Sequence, residues 1–128
     1  MRKWSAGACR HRGLRIGVAS NSGNGWVEEG LRRLGLRHFV DAVVTRDMVM
    51  NPKPAPDVYL KTVQTLGIDP NRAVALEDSE PGCRPAKQAG MKAVAIPNKF
   101  SERQDFKVAD LVVKSAEDLD LKSLEELF

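Results

Sequence analysis

The alternation of short apolar runs with helical patterns constrains the fold of this chain more than any other sequence feature. Five runs have the length and apolar character of strands, and they cover residues 16–19, 41–45, 73–76, 92–96 and 110–113. Segments with helical spacing separate most of these runs. Continuous apolar strands separated by helices are typical of a parallel sheet that is covered on both faces. The sequence therefore predicts a single α/β domain across residues 1–128, with a mostly parallel sheet.

Four helices are predicted from apolar side chains at helical spacing. They comprise a stripe at positions 27, 31 and 34 that closes at Gly35, a helix from Pro56 to Gly67, one over 83–89 and one over 121–128. Pro56 and Pro85 are both expected in the first turn of their helices, where a missing N–H costs little. Two helices therefore begin in loops that follow strands.

The net charge of +3 raises the question of a nucleic-acid partner. Residues 1–15 carry five of the twenty bases and no acid, so the other fifteen bases face all seventeen acids. The basic character therefore belongs to an N-terminal arm or helix over residues 1–13, and such a charge run is usually a solvated face. No nucleic-acid recognition motif accompanies it, so no nucleic-acid partner is expected.

Membrane and metal-thiol classes are also disfavoured. No apolar run approaches the roughly 20 residues of a membrane-spanning helix, so no membrane contact is expected. Cys9 and Cys83 have no CxxC spacing, which argues against a disulfide framework or a zinc site. We expect reduced thiols in a cytoplasmic protein.

Three polar clusters lie at the ends of strands or in the loops beyond them. They are Ser20-Asn21, then Lys53 in a proline-rich loop, then Glu77-Asp78. In an open α/β sheet, ligands bind beyond the carboxyl ends of the strands. A hydroxyl, a cation and paired carboxylates on one rim suit a phosphate group together with Mg²⁺.

Each cluster also has an interpretation without a ligand. Ser20 and Asn21 are favoured helix N-cap residues. Lys53 could be an ordinary solvated lysine. Glu77 and Asp78 could be acids that complement the dipole at a helix start. Their order along the chain, rather than any one residue, favours the ligand-binding interpretation.

Three strings carry a family resemblance: residues 17–22 (GVASNS), 53–59 (KPAPDVY) and 75–79 (ALEDS). They resemble motifs II, III and IV of the haloacid dehalogenase (HAD) superfamily, in its phosphatase and β-phosphoglucomutase branch. Residues 86–92 continue the likeness, which extends over about 14–128. The resemblance implies a Rossmann-like, HAD-like three-layer sandwich and a Mg²⁺-dependent reaction of a small phosphorylated metabolite. It does not separate a phosphatase from a mutase.

The resemblance also implies a role for each matching residue. Ser20 would donate a hydrogen bond to a phosphoryl oxygen, assisted by the backbone of Asn21. Lys53 would neutralise charge on the phosphate, which makes Ser20 and Lys53 the catalytic candidates. Glu77 and Asp78 would hold Mg²⁺ directly or through water.

The family's attacking aspartate has no counterpart here. It belongs to a DxD motif on a preceding strand, whereas residues 1–19 contain no Asp or Glu. The only DxD in the sequence, residues 118–120, follows the last predicted strand and is not expected to react. The helical cap of the family is also absent. We therefore expect the C-terminal portion of such an enzyme, an incomplete core that lacks the first strand and is largely inactive alone. Whether the chain is itself an enzyme stays open.

The missing strand leaves an alternative to catalysis. In the family that strand lies between the strand before Ser20 and the strand before Glu77. Without it, those two strands pair directly with each other, or they face a vacant slot. A vacant slot would favour self-association or a partner that supplies a strand, as expected of a truncated or degenerate non-catalytic domain.

Overall fold

The computed structural model describes residues 5–128. It contains five strands, β1 (Gly17–Ala19), β2 (Ala42–Val44), β3 (Val74–Glu77), β4 (Lys92–Ala95) and β5 (Leu111–Val112). Its α-helices are α1 (Ala6–His11), α2 (Asn24–Arg33), α3 (Asp57–Leu66), α4 (Glu80–Gln88) and α5 (Leu121–Glu125). Each predicted strand is present within one residue at either end, so the predicted α/β order is confirmed.

The strands form two parallel sheets rather than one. β1 pairs with β2, and β3, β4 and β5 form a second sheet in that order. The parallel pairing is as predicted. β1 and β3 are not hydrogen-bonded neighbours, so the expectation that these two strands could pair directly is wrong.

Helices cover both faces of the sheets. α3 packs on β1 and β2, α4 packs on β3 and β4, and the two helices contact each other. On this side the second sheet presents Ala75, Ala93 and Ala95, all at most 6% exposed. Their small side chains let α4 approach the sheet closely. The opposite face packs residues of α1 and α5 against Val94, which completes three layers.

Helix α4 begins three residues earlier than predicted. Ser79 caps it, because the Ser79 hydroxyl accepts a hydrogen bond from the Gly82 N–H at 3.3 Å. Pro85 therefore lies inside the helix, and its prediction as a first-turn residue is wrong. Its ring is fully buried, and this apolar burial offsets the hydrogen bond that proline cannot donate.

The predictions of α3 and α5 differ from the structure only at the helix ends. Pro56 is the N-cap of α3 rather than a residue of its first turn. The C-terminal helix ends at Glu125, three residues before the predicted end. Helix boundaries commonly differ by this much because terminal turns fray.

The basic arm is tied to the domain where the structure describes it. Arg10 pairs with Asp41, and Arg12 pairs with Glu125. Arg15 donates to the carbonyl of Leu66. Arg2 and Lys3 lie outside the described residues. Over residues 5–128, no helix combines the length and the apolar character that crossing a bilayer requires.

Candidate functional site

Ser20 and Asn21 form the first turn after β1, and neither caps a helix. The Ser20 hydroxyl accepts a hydrogen bond from the Ser22 N–H at 3.0 Å. The N-cap of α2 is Gly23, and no side chain caps that helix. The capping interpretation of these two residues is therefore wrong. Instead, Asn21 reaches across to the proline-rich loop.

Two hydrogen bonds join the Asn21 carboxamide to the backbone of Lys53. The Lys53 N–H donates to Asn21 Oδ1 at 2.8 Å, and Asn21 Nδ2 donates to the Lys53 carbonyl at 3.2 Å. These residues are 32 positions apart in sequence. The turn after β1 therefore fixes the loop that carries the lysine.

The Lys53 ammonium lies between the carboxyl ends of the two sheets. Its Nζ donates to the carbonyl of Ala19, the last residue of β1, at 3.2 Å. The same Nζ donates to Glu77 Oε1, on the last residue of β3, at 3.1 Å. The Lys53 side chain is only 17% exposed, so its interpretation as an ordinary solvated lysine is wrong.

Glu77 is the partly buried member of the carboxylate pair. Its side chain is 14% exposed. Burial raises the pKa of the Glu77 carboxyl above its ordinary value, and the attraction of the Lys53 ammonium partly offsets that rise. A Cβ at position 82 would lie 2.2 Å from Glu77 Oε2, so Gly82 is what leaves room for this carboxylate.

Asp78 faces solvent beside this pair. Its backbone carbonyl accepts a 2.6 Å hydrogen bond from the hydroxyl of Ser101, which is 5% exposed. Asn98 Nδ2 donates to Asp78 Oδ2 at 3.3 Å. Glu77 and Asp78 both precede α4, and its first-turn acid is Glu80. The helix-dipole interpretation of the Glu77-Asp78 pair is therefore wrong.

A cleft of ≈ 350 Å³ opens at this junction. Of the predicted residues it brings together Asn21, Lys53 and Glu77, whereas Ser20 and Asp78 lie next to them in sequence but outside the lining. The other residues that line the cleft have short or rigid side chains, or none: Pro54, Ser79, Pro81 and Gly82. A larger cleft, of ≈ 530 Å³, lies along α3 and contains none of the predicted residues.

Two residues that sequence reasoning treated otherwise belong to the site. The ring of Tyr59 lies 4.7 Å from Lys53 Nζ, centroid to atom. Its position on the apolar stripe of α3 predicts a core residue, and it is indeed 4% exposed. Asn98, from the loop after β4, had no signal in the sequence because loop contacts carry no periodicity.

The thiol of Cys83 does not contribute to the chemistry. Cys83 is 0% exposed, and burial together with the negative charge of Glu77 raises its pKa to about 11. The thiolate is the nucleophilic form, so this cysteine stays an inert core residue.

The donor set fits part of a Mg²⁺ site. Residues 5–128 contain no group of three acidic, His or Cys side chains placed to hold a metal. Glu77 and Asp78 are adjacent carboxylates, however, and Asp78 is open to solvent. Mg²⁺ commonly keeps several waters and takes only one or two carboxylates together with substrate phosphates. Glu77 and Asp78 would therefore hold it incompletely without a further oxygen ligand.

Comparison with known proteins agrees with this geometry. The family model described as haloacid dehalogenase-like hydrolase matches residues 8–96. YhcW of Bacillus subtilis (strain 168) is 38% identical over 117 residues, which are 91% of this chain and 53% of YhcW. Hexitol phosphatase B of Escherichia coli (strain K12) is 35% identical over 117 residues, 91% of this chain and 53% of that protein.

A solved structure extends the comparison to the fold. CbbY from Rhodobacter sphaeroides, crystallised in complex with phosphate, superposes with a TM-score of 0.89 at 34% identity, covering 94% of this chain and 55% of CbbY. The chain thus spans about half the length of the relatives it matches. With the family model covering residues 8–96, the chain belongs to the haloacid dehalogenase-like hydrolases.

Proposed function

We propose that the cleft binds the phosphate group of a small phosphorylated metabolite. The chain would thereby supply the phosphate-binding and metal-binding side of a phosphate-monoester hydrolase or phosphosugar mutase. The observation that carries the proposal is the position of Lys53 Nζ, 3.2 Å from the Ala19 carbonyl and 3.1 Å from Glu77 Oε1. A cation held at the ends of both sheets is placed to neutralise an anion there.

The donors at the rim suit a phosphate oxygen. The Lys53 ammonium has three N–H groups, and Ala19 and Glu77 use two of them. Ser20 Oγ accepts from the Ser22 N–H, which leaves its own proton to donate. The backbone N–H of Asn21 lies beside it in the same turn. We propose that these three donors, two from the turn after β1 and one from Lys53, bind the same anion.

Mg²⁺ is part of the proposal. Glu77 and Asp78 would hold it, and when bound it would neutralise negative charge on the phosphate oxygens. Cytoplasmic residence is also proposed, since Cys83 is an unpaired thiol and reducing compartments keep thiols unpaired.

This chain alone is proposed to have negligible turnover. Residues 1–19 contain no carboxylate that could attack phosphorus. Within residues 118–120, Asp120 caps α5 by accepting from the N–H and hydroxyl of Ser123 at 2.8 and 2.9 Å. That aspartate is a structural cap. Removing the attacking group typically costs almost all catalysis, because such groups act as a unit.

Titration with inorganic phosphate tests the binding proposal. The ¹⁵N-labelled chain should show shifts at the amides of Ser20, Asn21 and Lys53, and Lys53→Met should weaken binding about tenfold or more. Lys61→Met, on the exposed side of α3, is the matched control and should bind as the parent does. Unchanged affinity in Lys53→Met would contradict the proposal.

An aryl phosphate assay tests the inactivity proposal separately. We expect no turnover above background with or without Mg²⁺. Turnover that requires Mg²⁺ and disappears in Lys53→Met would show instead that this chain carries out the reaction unaided.

A second candidate function, binding of an extended segment, is favoured by the break between the sheets. Next to β1, the Ile16 carbonyl accepts from the Ala42 N–H and the Ser20 N–H donates to the Val44 carbonyl. By alternation Gly17 and Ala19 direct their backbone groups away from β2. The carbonyls of Ala73, just before β3, and of Glu77, at its end, accept from the chain of β4, so Val74 and Leu76 direct their backbone groups away from it. Both edges could pair with one parallel strand, which would share the Ala19 carbonyl with Lys53 Nζ.

Amide exchange with an apolar peptide tests this second candidate. A nine-residue Val/Ile peptide should slow exchange at the amides of Ala19 and Leu76 while leaving Val18 and Ala75 unchanged. A peptide of the same composition with proline at alternate positions is the control. A dimer in light scattering would favour a second copy as the occupant, and a monomer with no peptide protection would exclude both forms.

A further inference from the structure

Lys53 is held at both ends of its side chain by residues other than its ion-pair partner. We propose that Asn21 and Tyr59 are positioning residues that fix the Lys53 ammonium between the two sheets. The proposal rests on the function proposed above, in which Lys53 binds phosphate. Neither residue needs to touch the phosphate through its side chain for this role.

Asn21 fixes the base of the lysine. Its carboxamide accepts from the Lys53 N–H at 2.8 Å and donates to the Lys53 carbonyl at 3.2 Å. Both bonds use the side chain of Asn21, so the backbone N–H of Asn21 stays available to an anion. A side chain with only a donor or only an acceptor could not bond to both the N–H and the carbonyl of Lys53. The amide therefore locks the start of the Lys53 side chain to the end of β1.

Tyr59 fixes the head of the lysine. Its ring centroid lies 4.7 Å from Lys53 Nζ, within the range in which an aromatic face attracts a cation. The ring cannot move aside, because Tyr59 is 4% exposed and its hydroxyl donates to the Gly82 carbonyl at 3.4 Å. Gly82 in turn borders Glu77 Oε2. Tyr59 therefore connects the ammonium to the start of α4, which borders its carboxylate partner.

The lysine needs these two contacts because its own side chain is flexible. A four-carbon stem loses substantial rotamer freedom when it is held in one position. Asn21 and Tyr59 order the stem before any anion arrives, so phosphate binding does not have to supply that ordering. Loss of either residue should leave the charge present but less well placed.

Proton NMR of the Lys53 ε-methylene group tests the Tyr59 contact without phosphate. In the parent and in Tyr59→Phe, the ring should shift these protons upfield, and in Tyr59→Leu the shift should disappear. Phe106→Leu, which removes a ring packed on the same core, is the control and should leave it unchanged. An unchanged ε-methylene shift in Tyr59→Leu would overturn the proposal for Tyr59. Tyr59→Met serves if the leucine variant does not fold.

Phosphate titration of a double-mutant cycle tests action through Lys53. Asn21→Ala and Tyr59→Leu should each weaken inorganic phosphate binding about three- to tenfold, and Tyr59→Phe less than about twofold. In the Lys53→Met background neither change should have a further effect. Additive losses would show that these residues act independently of Lys53. If Lys53→Met binds phosphate normally, the proposed function fails, while the ε-methylene shift still decides the positioning role.

Discussion

The domain has two halves, one built on β1 and β2 and one on β3, β4 and β5, and the strands β4 and β1 show how differently they bury their residues. Ala93, Val94 and Ala95 of β4 are each 0% exposed, because β4 has a hydrogen-bonded strand on both edges and helices on both faces. In β1, Gly17 is exposed, and the two residues that follow are only half-buried. Pairing at one edge does not by itself expose a strand, because β2 pairs only with β1 and still buries Ala42 and Val44.

Among the helices α2 is the exposed one, since α3 on β1 and β2 is buried as well as α4 is. α4 buries Gly82, Cys83, Pro85 and Ala86, whereas α2 buries no residue and leaves Trp26 79% exposed. The candidate site lies where the two halves meet, with Lys53 bonded to the last residue of β1 and of β3. The residues that stabilise the fold and the residues that could bind a ligand therefore lie in different places in this domain. The core shared by α3, α4 and the two sheets supplies the stability, and the junction supplies the charged groups.

Truncation of leucines in the two halves should give the largest contrast. Leu119 is 0% exposed and packs with Val94, so Leu119→Ala should lower the free energy of unfolding by about 3 kcal/mol. Leu34, at the end of α2, is 71% exposed, and Leu34→Ala should cost less than about 0.5 kcal/mol. Urea unfolding followed by circular dichroism measures both. Equal losses would mean that the end of α2 is as tightly packed as the core around Leu119.

Glycine substitutions should sharpen the contrast at the junction. An alanine Cβ at position 82 would lie 2.2 Å from Glu77 Oε2, so Gly82→Ala should destabilise by about 1–3 kcal/mol and displace the partner of Lys53. At Gly25 in α2 a Cβ meets nothing within 4 Å. Gly25→Ala should therefore stabilise by up to about 1 kcal/mol through helix propensity. The urea midpoints should move in opposite directions, and a shared direction would contradict this account of Gly82.

The sequence predicts the order of elements well because apolar periodicity is a local signal. It places all five strands and brings Asn21, Lys53 and Glu77 into one cleft. The start of α4 is placed too late, because a Ser79 cap outweighs the presence of Pro85 inside the helix. The hydrogen bond to the Ser79 hydroxyl sets the start of α4, and the spacing of apolar residues does not indicate it.

Contacts between residues far apart in sequence explain the remaining differences between the sequence predictions and the structure. The Asn98 and Ser101 contacts with Asp78 span 20 and 23 residues, and nothing in the residues of either loop specifies the other. Neither strand alone indicates the gap between β1 and β3, since both read as apolar runs, and only the family resemblance predicts a vacant slot there. Whether a strand is central or has a free edge depends on its neighbours in space, which local sequence does not fix.

Acid titration should give the smallest effect, through one carboxylate in each half. Hydrogen bonding from the Ile16 N–H lowers the pKa of Asp41, aided by Arg10. Burial would raise the pKa of Asp110, but the Ala93 N–H and Lys87 outweigh it and the pKa is lowered. A carboxylate whose pKa is lowered in the folded state contributes its full stability above its ordinary pKa. That contribution is lost as the pH falls from the ordinary pKa through the folded pKa.

The two carboxylates should differ in where that loss appears. Asp110 bonds to β4, which we expect to open only in global unfolding, so Asp110→Asn should flatten the fall in unfolding free energy as the pH drops below about 5 and through the lowered pKa of Asp110. Asp41 bonds beside β1, so Asp41→Asn should instead flatten the acid-induced rise in the opening of the Ile16 amide, measured by hydrogen exchange and corrected for intrinsic rates. Glu102→Gln, in the exposed loop after β4, is the control and should change neither profile. If both aspartates altered only the global profile, β1 and β4 would open together and the contrast between the two halves would not extend to their dynamics.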